Sequence, residues 1–271
     1  MKAIVYTEFG PPEVLHLEEV AKPTPGENEV LIRVHATSVG YGDLVARDFQ
    51  HLSPGQFNMP LIFWLFSRVY FGLGKPKIRI LGSEFAGEIE AIGTGVTRFK
   101  EGDQVFGYRG QSMGAYAEYL CMPEDGVLAA KPSNMTYEEA APIPSGAMTA
   151  YYILTQVGVQ SGQKVLINGA SGGIGSHAVQ IAKHLGAEVT GVCSTANLDL
   201  VKSMGADRLI DYTRESIADG GEFYDLVFDA VWKLSRSTGR KILKKKGTYL
   251  NVNRDSGPGT SVTTKDLLFL K

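Results

Sequence analysis

A glycine-rich segment in the second half of the chain, Gly169–Gly175, most constrains the fold. It has the sequence Gly-Ala-Ser-Gly-Gly-Ile-Gly and follows Lys164–Asn168, an apolar run that predicts a buried strand. The residues after it have the apolar spacing of a helix. Because a helix that begins on such a loop presents backbone N–H groups and the positive end of its dipole, this strand–loop–helix unit predicts a site for a phosphate-bearing ligand.

The spacing of the small residues matches the fingerprint of a dinucleotide-binding unit. Gly172 would let the backbone approach a pyrophosphate, and Gly175 would let the helix pack closely on the strand. The flanking strand and helix, with a second predicted strand at Glu188–Cys193, supply the context that this weak motif needs. A turn that simply requires small residues is the alternative. The predicted dinucleotide contacts are Ala170, Ser171, Gly172, Gly173, Ile174 and Gly175.

The end of the second strand bears on which nicotinamide cofactor would bind. NAD sites carry an Asp or Glu about 20 residues beyond the loop, which holds the ribose 2′-hydroxyl. Ser194 and Thr195 stand there in this chain, so no carboxylate would repel a 2′-phosphate and two hydroxyls could donate to it. The next cation along the chain is Lys202. We therefore expect NADPH as the cofactor, with NADH as the alternative.

Strands and helices alternate through the second half of the chain. A capping-box sequence at Thr136–Glu139 and a helical segment near 147–157 precede the loop. Repeated βα units predict a doubly wound parallel sheet. The basic run at 240–246 is interpreted as the solvated end of a helix. The predicted strands are Lys164–Asn168, Glu188–Cys193, Arg208–Asp211, Asp225–Asp229 and Thr248–Val252, with helices at 174–185 and 198–204.

The first 125 residues follow a different pattern, in which short alternating runs are separated by Gly and Pro. The run 30–37 is typical of a strand with one buried face, since one set of positions alternates with another: Val30, Ile32, Val34 and Ala36 with Leu31, Arg33, His35 and Thr37. Several such strands with glycine-rich turns predict a compact β-rich unit, barrel-like or partly open. The other predicted strands are 88–92, 103–108 and 115–121.

Composition excludes several classes of protein. With 27 Lys and Arg against 29 Asp and Glu, the formal net charge is −2, which argues against a nucleic-acid partner. Two cysteines cannot form a disulfide framework, and no signal peptide is visible, so we expect a cytoplasmic protein. The apolar run 60–73 is too short to span a bilayer. It predicts a partly buried helix, with peripheral membrane contact as the alternative and no stable membrane insertion.

Five segments carry a series of family motifs: Val34–Val39 with Asp43, Leu81–Gly93, Thr97–Val105, Ala140–Pro144 and Gly162–Tyr212. Together, over most of the chain, they resemble the medium-chain dehydrogenase/reductases, in their zinc-independent quinone oxidoreductase branch. The resemblance implies an α/β protein with a GroES-like, β-rich catalytic domain at 1–125 and a Rossmann domain, the doubly wound sheet, at 126–260. Residues 261–271 would begin a shortened C-terminal segment.

The resemblance also bears on metal binding. Zinc-dependent relatives place Cys, His and Cys at positions that correspond here to Gly40, Ser83 and Ser145. A catalytic zinc needs about three thiolate, imidazole or carboxylate ligands, and Glu84 alone offers one oxygen. We therefore expect no metal.

Without a Lewis acid, the resemblance implies hydride transfer to an acceptor that is already electrophilic, a quinone or an α,β-unsaturated carbonyl. Tyr41 is the candidate hydrogen-bond donor to the carbonyl oxygen, and Asp43 is expected to orient the Tyr41 loop. Thr149 corresponds to a position near the nicotinamide, and Tyr212 to a contact with the adenosine. Each of these side chains also has a purely structural interpretation.

Three departures from the family favour an alternative function. Relatives commonly have Asn at Gly40, and Trp232 stands where they have glycine after the strand Asp225–Asp229. A sixth Rossmann strand and a tail that returns to the catalytic domain are not found after Val252, which implies impaired activity and weighs against a homodimer. The alternative is a non-catalytic NAD(P)H-binding relative with a structural or regulatory role.

Overall fold

The computed structural model describes residues 1–57, 61–255 and 263–270. The contacts of these residues divide the chain into two compact units, 1–145 with 263–270, and 146–255. Pro60, the end of the predicted Rossmann domain at 260 and the start of the predicted C-terminal segment at 261 lie outside the described residues. The domain boundaries predicted from the sequence stay predictions.

The first unit is built on an antiparallel sheet that curls into the half-barrel typical of GroES-like domains. The elements are β1 Lys2–Val5, β2 His16–Glu19, β3 Glu29–Thr37, α1 Tyr41–Arg47, α2 Leu61–Phe71, β4 Glu84–Ile92, β5 Gln104–Tyr108, β6 Tyr119–Pro123, β7 Val127–Ala130 and α3 Tyr137–Ala140. The five strands of the sheet are arranged in the order β6-β3-β4-β5-β7, and a separate hairpin pairs β1 with β2.

The predicted alternation in β3 holds from Ile32 onward but is wrong at Leu31, which is buried as well. Val30 and Ile32 are fully buried with Phe85 of β4, whereas Arg33 is exposed. Gly87 allows β4 to approach β3 closely, since a Cβ there would lie 2.2 Å from the Arg33 carbonyl oxygen. This close approach coincides with the register shift that bends the β3–β4 pair.

The strand predicted at 115–121 is wrong in its first half. The N–H groups of Ala115 and Tyr116 donate to the carbonyl oxygens of Gly82 and Leu81, at 3.0 and 2.9 Å. These residues therefore hold a turn onto the segment before β4, and the strand begins only at Tyr119.

The second unit is the predicted doubly wound sheet. Its elements are α4 Ile143–Gln156, β8 Lys164–Asn168, α5 Gly173–His184, β9 Glu188–Cys193, α6 Leu198–Ser203, β10 Arg208–Asp211, β11 Tyr224–Asp229, α7 Arg236–Lys241, β12 Leu243–Asn251 and α8 Val252–Asp255. All of its strand pairs are parallel, in the order β10-β9-β8-β11-β12. The strands predicted at Lys164–Asn168, Glu188–Cys193 and Arg208–Asp211 are confirmed to the residue.

The basic run at 240–246 is only in part a helix end. Arg240 and Lys241 lie in the last turn of α7, where positive charge favours the helix dipole, but Lys244–Lys246 belong to β12. Lys244 forms an ion pair with Asp225 at 2.7 Å. Among the described residues β12 is the last strand of the sheet, and lysines on such an edge oppose pairing with a second chain.

A C-terminal helix, α9 (Thr264–Phe269), belongs to the first unit. The Thr264 hydroxyl donates to the Gly126 carbonyl oxygen beside β7 at 2.8 Å, and Leu267 is fully buried. This helix therefore packs on the first unit next to β7. The missing sixth strand and the missing tail expected after this helix stay predictions.

No helix in the described part of the chain is long and apolar enough to cross a membrane. The predicted compartment stays a prediction, and so does the expectation that a homodimer is possible but disfavoured without a sixth strand.

Candidate functional site

The glycine loop connects β8 to α5 at the carboxyl edge of the parallel sheet. The first residues of the loop are held to the neighbouring strand β9, since the N–H groups of Gly169 and Ala170 both donate to the Val192 carbonyl oxygen, at 3.0 and 2.9 Å. Gly172 is the N-cap of α5 and supplies no side-chain cap. The first-turn N–H groups of a helix have no partner within it, so this terminus suits an anionic group.

The glycines of this loop serve two different purposes. A Cβ at Gly175 would lie 2.1 Å from the Gly169 carbonyl oxygen, so folding itself requires a glycine there. A Cβ at Gly172 would meet only that same oxygen at 3.4 Å, and one at Gly173 would meet nothing within 4 Å. Internal packing does not explain Gly172 and Gly173, whereas a pyrophosphate lying against the backbone would. The loop therefore fits a dinucleotide.

The two hydroxyl residues after β9 have different surroundings. The Thr195 hydroxyl donates to the carboxylate of Asp211 at the end of β10, and its hydrogen is therefore already used. Ser194 accepts a hydrogen bond from the Asn197 amide at 3.3 Å, which leaves its own hydroxyl hydrogen for another acceptor. Hydrogen bonds from Thr195 and Thr213 hold the pKa of Asp211 below its usual range.

An arginine that the sequence analysis missed lies beside this group. Arg214 Nε is 3.6 Å from Asp211 Oδ2, and 72% of the Arg214 side-chain surface is exposed. It escaped notice because it follows the third strand, not the second, and only the pairing of β9 with β10 brings it to Thr195. Tyr212, also at this edge, is 59% exposed.

The loop after β11 is held by a buried polar network at the same edge. Asp229 is fully buried and accepts hydrogen bonds from the side-chain amides of Asn168 and Asn251, at 2.9 and 3.2 Å. It also accepts the N–H of Leu234 at 2.8 Å. Between these anchors Trp232 has a φ of 55°, a left-handed conformation that favours glycine. This backbone conformation explains why the family has a glycine at this position.

In the first unit, the predicted site residue Asp43 is buried at the start of α1. Its carboxylate accepts the N–H of Gly40 at 2.9 Å and the N–H of Gly82 at 3.0 Å. It therefore ties the N-terminus of α1 to the turn before β4. Burial raises the pKa of Asp43, and the two backbone hydrogen bonds oppose that shift.

A second buried carboxylate, Glu84 at the start of β4, lies close to Asp43. The Ser38 hydroxyl donates to its Oε1, and the Ser145 N–H donates to its Oε2 at 2.9 Å. Burial is the main cause that raises the pKa of Glu84, and the charge of Asp43 adds to it. Burial and both carboxylates also raise the pKa of Tyr108. Ser38 and Tyr108 were not identified from the sequence, because only the folding of the sheet brings them to Glu84.

The three positions that carry zinc ligands in relatives do come together around Glu84. A Cβ at Gly40 would lie 3.9 Å from Ser83 Oγ, and Ser145 is hydrogen-bonded to Glu84. Gly40 has no side chain, however, and the two serines offer neutral hydroxyls. Among residues 1–57, 61–255 and 263–270 no group of three His, Cys, Asp or Glu side chains could hold a metal ion. This donor set does not fit zinc.

The two remaining predicted site residues lie in different units. Tyr41 opens α1 in the first unit and is 73% exposed, so its hydroxyl is accessible. Thr149 is half-buried on α4 in the second unit. Their roles, like those of Asp43, Ser194, Thr195 and Tyr212, stay predictions.

Comparison with known proteins supports the fold of both units. Two family models match, described as the alcohol dehydrogenase GroES-like domain over residues 26–133 and as the zinc-binding dehydrogenase over residues 173–271. The quinone oxidoreductase of Pseudomonas aeruginosa is 32% identical over 269 residues, which cover 96% of this chain and 76% of that protein. The chain belongs to the medium-chain dehydrogenase/reductase superfamily.

Two further similarities come from a plant and from a solved structure. The chloroplastic NADPH-dependent alkenal/one oxidoreductase of Arabidopsis thaliana is 33% identical over 257 residues, 91% of this chain and 61% of its own length. The structure of the quinone oxidoreductase from Coxiella burnetii superposes with a TM-score of 0.81 at 28% identity, over all of this chain and 86% of that one. The chain thus spans about three-fifths of the length of the first plant relatives it matches.

The raised pKa of Glu84 predicts how stability depends on pH. Since the folded state binds this proton more tightly than the unfolded state, ionising Glu84 costs stability as the pH rises from the unfolded pKa through the folded one. Glu84→Gln keeps an acceptor for the Ser145 N–H and removes the charge. We therefore expect wild-type stability to fall relative to Glu84→Gln as the pH rises from about 4.5 towards neutrality.

The measurement is urea unfolding of both proteins across that pH range. Glu19→Gln is the matched control, because Glu19 is exposed. A difference between wild type and Glu84→Gln that stays constant with pH would contradict the prediction.

Proposed function

We propose that this protein is an NADPH-dependent oxidoreductase that reduces a quinone or an α,β-unsaturated carbonyl without zinc. The observation that carries the proposal is the open backbone at Gly172 and Gly173. Packing within the protein does not require a glycine at either position. The names of the plant and bacterial relatives, an alkenal/one oxidoreductase and a quinone oxidoreductase, support the substrate class.

The dinucleotide would be held at the carboxyl edge of the parallel sheet. The first turn of α5, with Ala170, Ser171 and Ile174 around the two glycines, would bind the pyrophosphate, and Tyr212 would contact the adenosine. When bound, the reduced nicotinamide supplies a hydride to an electrophilic carbon. Thr149 is proposed to lie near the nicotinamide ring.

The chain's own contribution to the chemistry would be the stabilisation of negative charge on the acceptor oxygen. The exposed hydroxyl of Tyr41 is the proposed donor to that oxygen. Asp43 would act as a positioning residue, since its two backbone hydrogen bonds fix the start of the helix that carries Tyr41. Because Gly40, Ser83 and Ser145 offer no zinc ligands, the acceptor must be electrophilic without help from a metal.

Preference for NADPH would depend on Arg214 and Ser194. A 2′-phosphate needs a cation, and Arg214 is the cation that the fold brings to the end of β9. The carboxylate of Asp211 would otherwise repel a phosphate. Its negative charge is offset by the hydrogen bonds from Thr195 and Thr213 and by the nearby Arg214. The Ser194 hydroxyl hydrogen is the second proposed donor. The printed name of the Arabidopsis relative points to the same cofactor.

Gly172→Val should abolish stabilisation by the cofactor without unfolding the free protein. For the wild type we expect NADPH to raise the melting temperature. At a ligand concentration a hundred times Kd, binding adds about 2.7 kcal/mol to the free energy of unfolding. In Gly172→Val the side chain would block the pyrophosphate, so no rise is expected. Differential scanning calorimetry with and without NADPH makes the comparison.

Gly175→Ala is the contrasting control. Its Cβ would clash with the Gly169 carbonyl oxygen at 2.1 Å, so this variant should melt earlier even without cofactor. A wild-type melting temperature indifferent to both NADPH and NADH, or full NADPH stabilisation of Gly172→Val, would overturn the binding site.

Arg214→Gln should weaken NADPH binding about tenfold or more and leave NADH binding unchanged, because only NADPH carries the 2′-phosphate. Arg208→Gln is the matched control, since Arg208 is at the opposite end of β10 in an ion pair with Glu222. Both affinities are measured by calorimetric titration. Equal loss for the two cofactors, or loss in neither, would show that Arg214 does not contact the phosphate.

The activity itself is tested by following nicotinamide absorbance with a panel of quinones and enones, using NADPH and NADH. We expect turnover with at least one acceptor, abolished by Gly172→Val and insensitive to a metal chelator. Loss of turnover with the chelator would refute the zinc-free proposal. Cofactor binding without turnover of any acceptor would favour the non-catalytic alternative, which Trp232 at the family's glycine position supports.

A further inference from the structure

The helix α2 of the first unit exposes most of its apolar side chains. Two aromatic residues anchor it: Trp64 and Phe71 are buried, and each ring centroid lies 4.7 Å from that of Phe49. The other large apolar side chains do not enter this core. At least half of the surface is exposed in each of the residues of this apolar patch, Leu61, Ile62, Phe63, Leu65, Phe66 and Val69.

An exposed apolar patch of this kind is unusual on a water-facing surface. Single exposed leucines are common, but contiguous apolar surface on a soluble chain usually marks an interaction site. Folding of the unit does not account for these six side chains, because Trp64 and Phe71 already fix the helix. A partner that accepts hydrocarbon is therefore the simplest explanation.

The charge around the patch indicates which partner. From Phe49 to Ser83 the chain contains no Asp or Glu, but it contains Arg68, Lys75, Lys77 and Arg79. Lys75 and Lys77 are exposed, and the Lys77 ammonium donates to the Val69 carbonyl oxygen at 2.7 Å, beside the apolar patch. A cationic segment thus borders the patch in a chain whose net charge is −2.

We propose that α2 docks the protein peripherally onto an anionic lipid surface. A helix of 11 residues is too short to span a bilayer, so it would lie in the interface with its apolar patch among the acyl chains. The lysines after the helix would then meet the anionic headgroups. A symmetric pairing of two copies through the same patch is disfavoured, because it would bring the cationic segment against itself.

Co-sedimentation with lipid vesicles tests the proposal on the wild-type chain. The vesicles are phosphatidylcholine alone and phosphatidylcholine with phosphatidylserine, each at low and high salt. We expect binding to the anionic vesicles that weakens as salt rises, and much weaker binding to the neutral ones. Equal binding to both kinds of vesicle, or binding to neither, would overturn the proposal.

Matched variants locate the contact. Phe63→Ser combined with Phe66→Ser should weaken partitioning at least about tenfold, because two apolar side chains no longer enter the acyl region. Phe223→Ser should have no effect, although Phe223 in the second unit is 54% exposed, as Phe63 is. Lys75→Glu should weaken binding about fivefold or more, whereas Lys245→Glu at an exposed position of β12 should not.

Two measurements keep the result decisive. Circular dichroism and melting temperature show whether the double variant folds; if it does not, Lys75→Glu and the salt dependence of the wild type decide. Sedimentation velocity without lipid tests the other occupant. A concentration-dependent dimer that Phe66→Ser abolishes would assign the patch to a second copy of the chain and overturn the lipid proposal.

Discussion

The close approach of α5 to the end of β8 is the constraint on which the second unit depends. Gly175 packs against the Gly169 carbonyl oxygen with no room for a side chain, so the helix axis is fixed relative to the strand. That packing aims the first turn of α5 at the carboxyl edge of the sheet. The same edge gathers Ser194 after β9, Asp211 at the end of β10 and Asp229 at the end of β11. Parallel strands make this possible, because all their carboxyl ends lie on one side.

The first unit depends in a comparable way on two buried carboxylates. Asp43 holds the start of α1 to the turn before β4, and Glu84 holds Ser38 and Ser145 together. In a zinc enzyme a metal would organise this region through its ligands. Here hydrogen bonds to the carboxylates organise it instead, and their burial without a cation is reflected in raised pKa values. The donor set of this region does not fit zinc.

Two further features of the chain leave the glycine loop unchanged. Trp232 has the left-handed backbone conformation that glycine would adopt, because the Asp229 network fixes the loop on either side of it. The exposed apolar side chains of α2 lie on the surface of the first unit, outside its core. Because neither feature alters the glycine loop, cofactor binding and the chemistry at the acceptor can be tested separately.

The sequence by itself determined the glycine loop and the first three strands of the second unit, since these depend on local periodicity and on residues adjacent in the chain. The sequence identified Glu84 only as the source of a single possible metal-ligating oxygen, and it did not identify Ser38, Tyr108 or Arg214. Each of those becomes relevant through strand pairing between segments far apart in sequence, which no spacing along the chain records. The basic run is divided between α7 and β12, because β12 begins at Leu243, opposite Tyr224 of β11. Lys244–Lys246 lie in the irregular stretch before the pairing with β11 resumes at Thr248. Local chemistry thus fixed the elements, and the tertiary pairing of their ends decided which side chains meet.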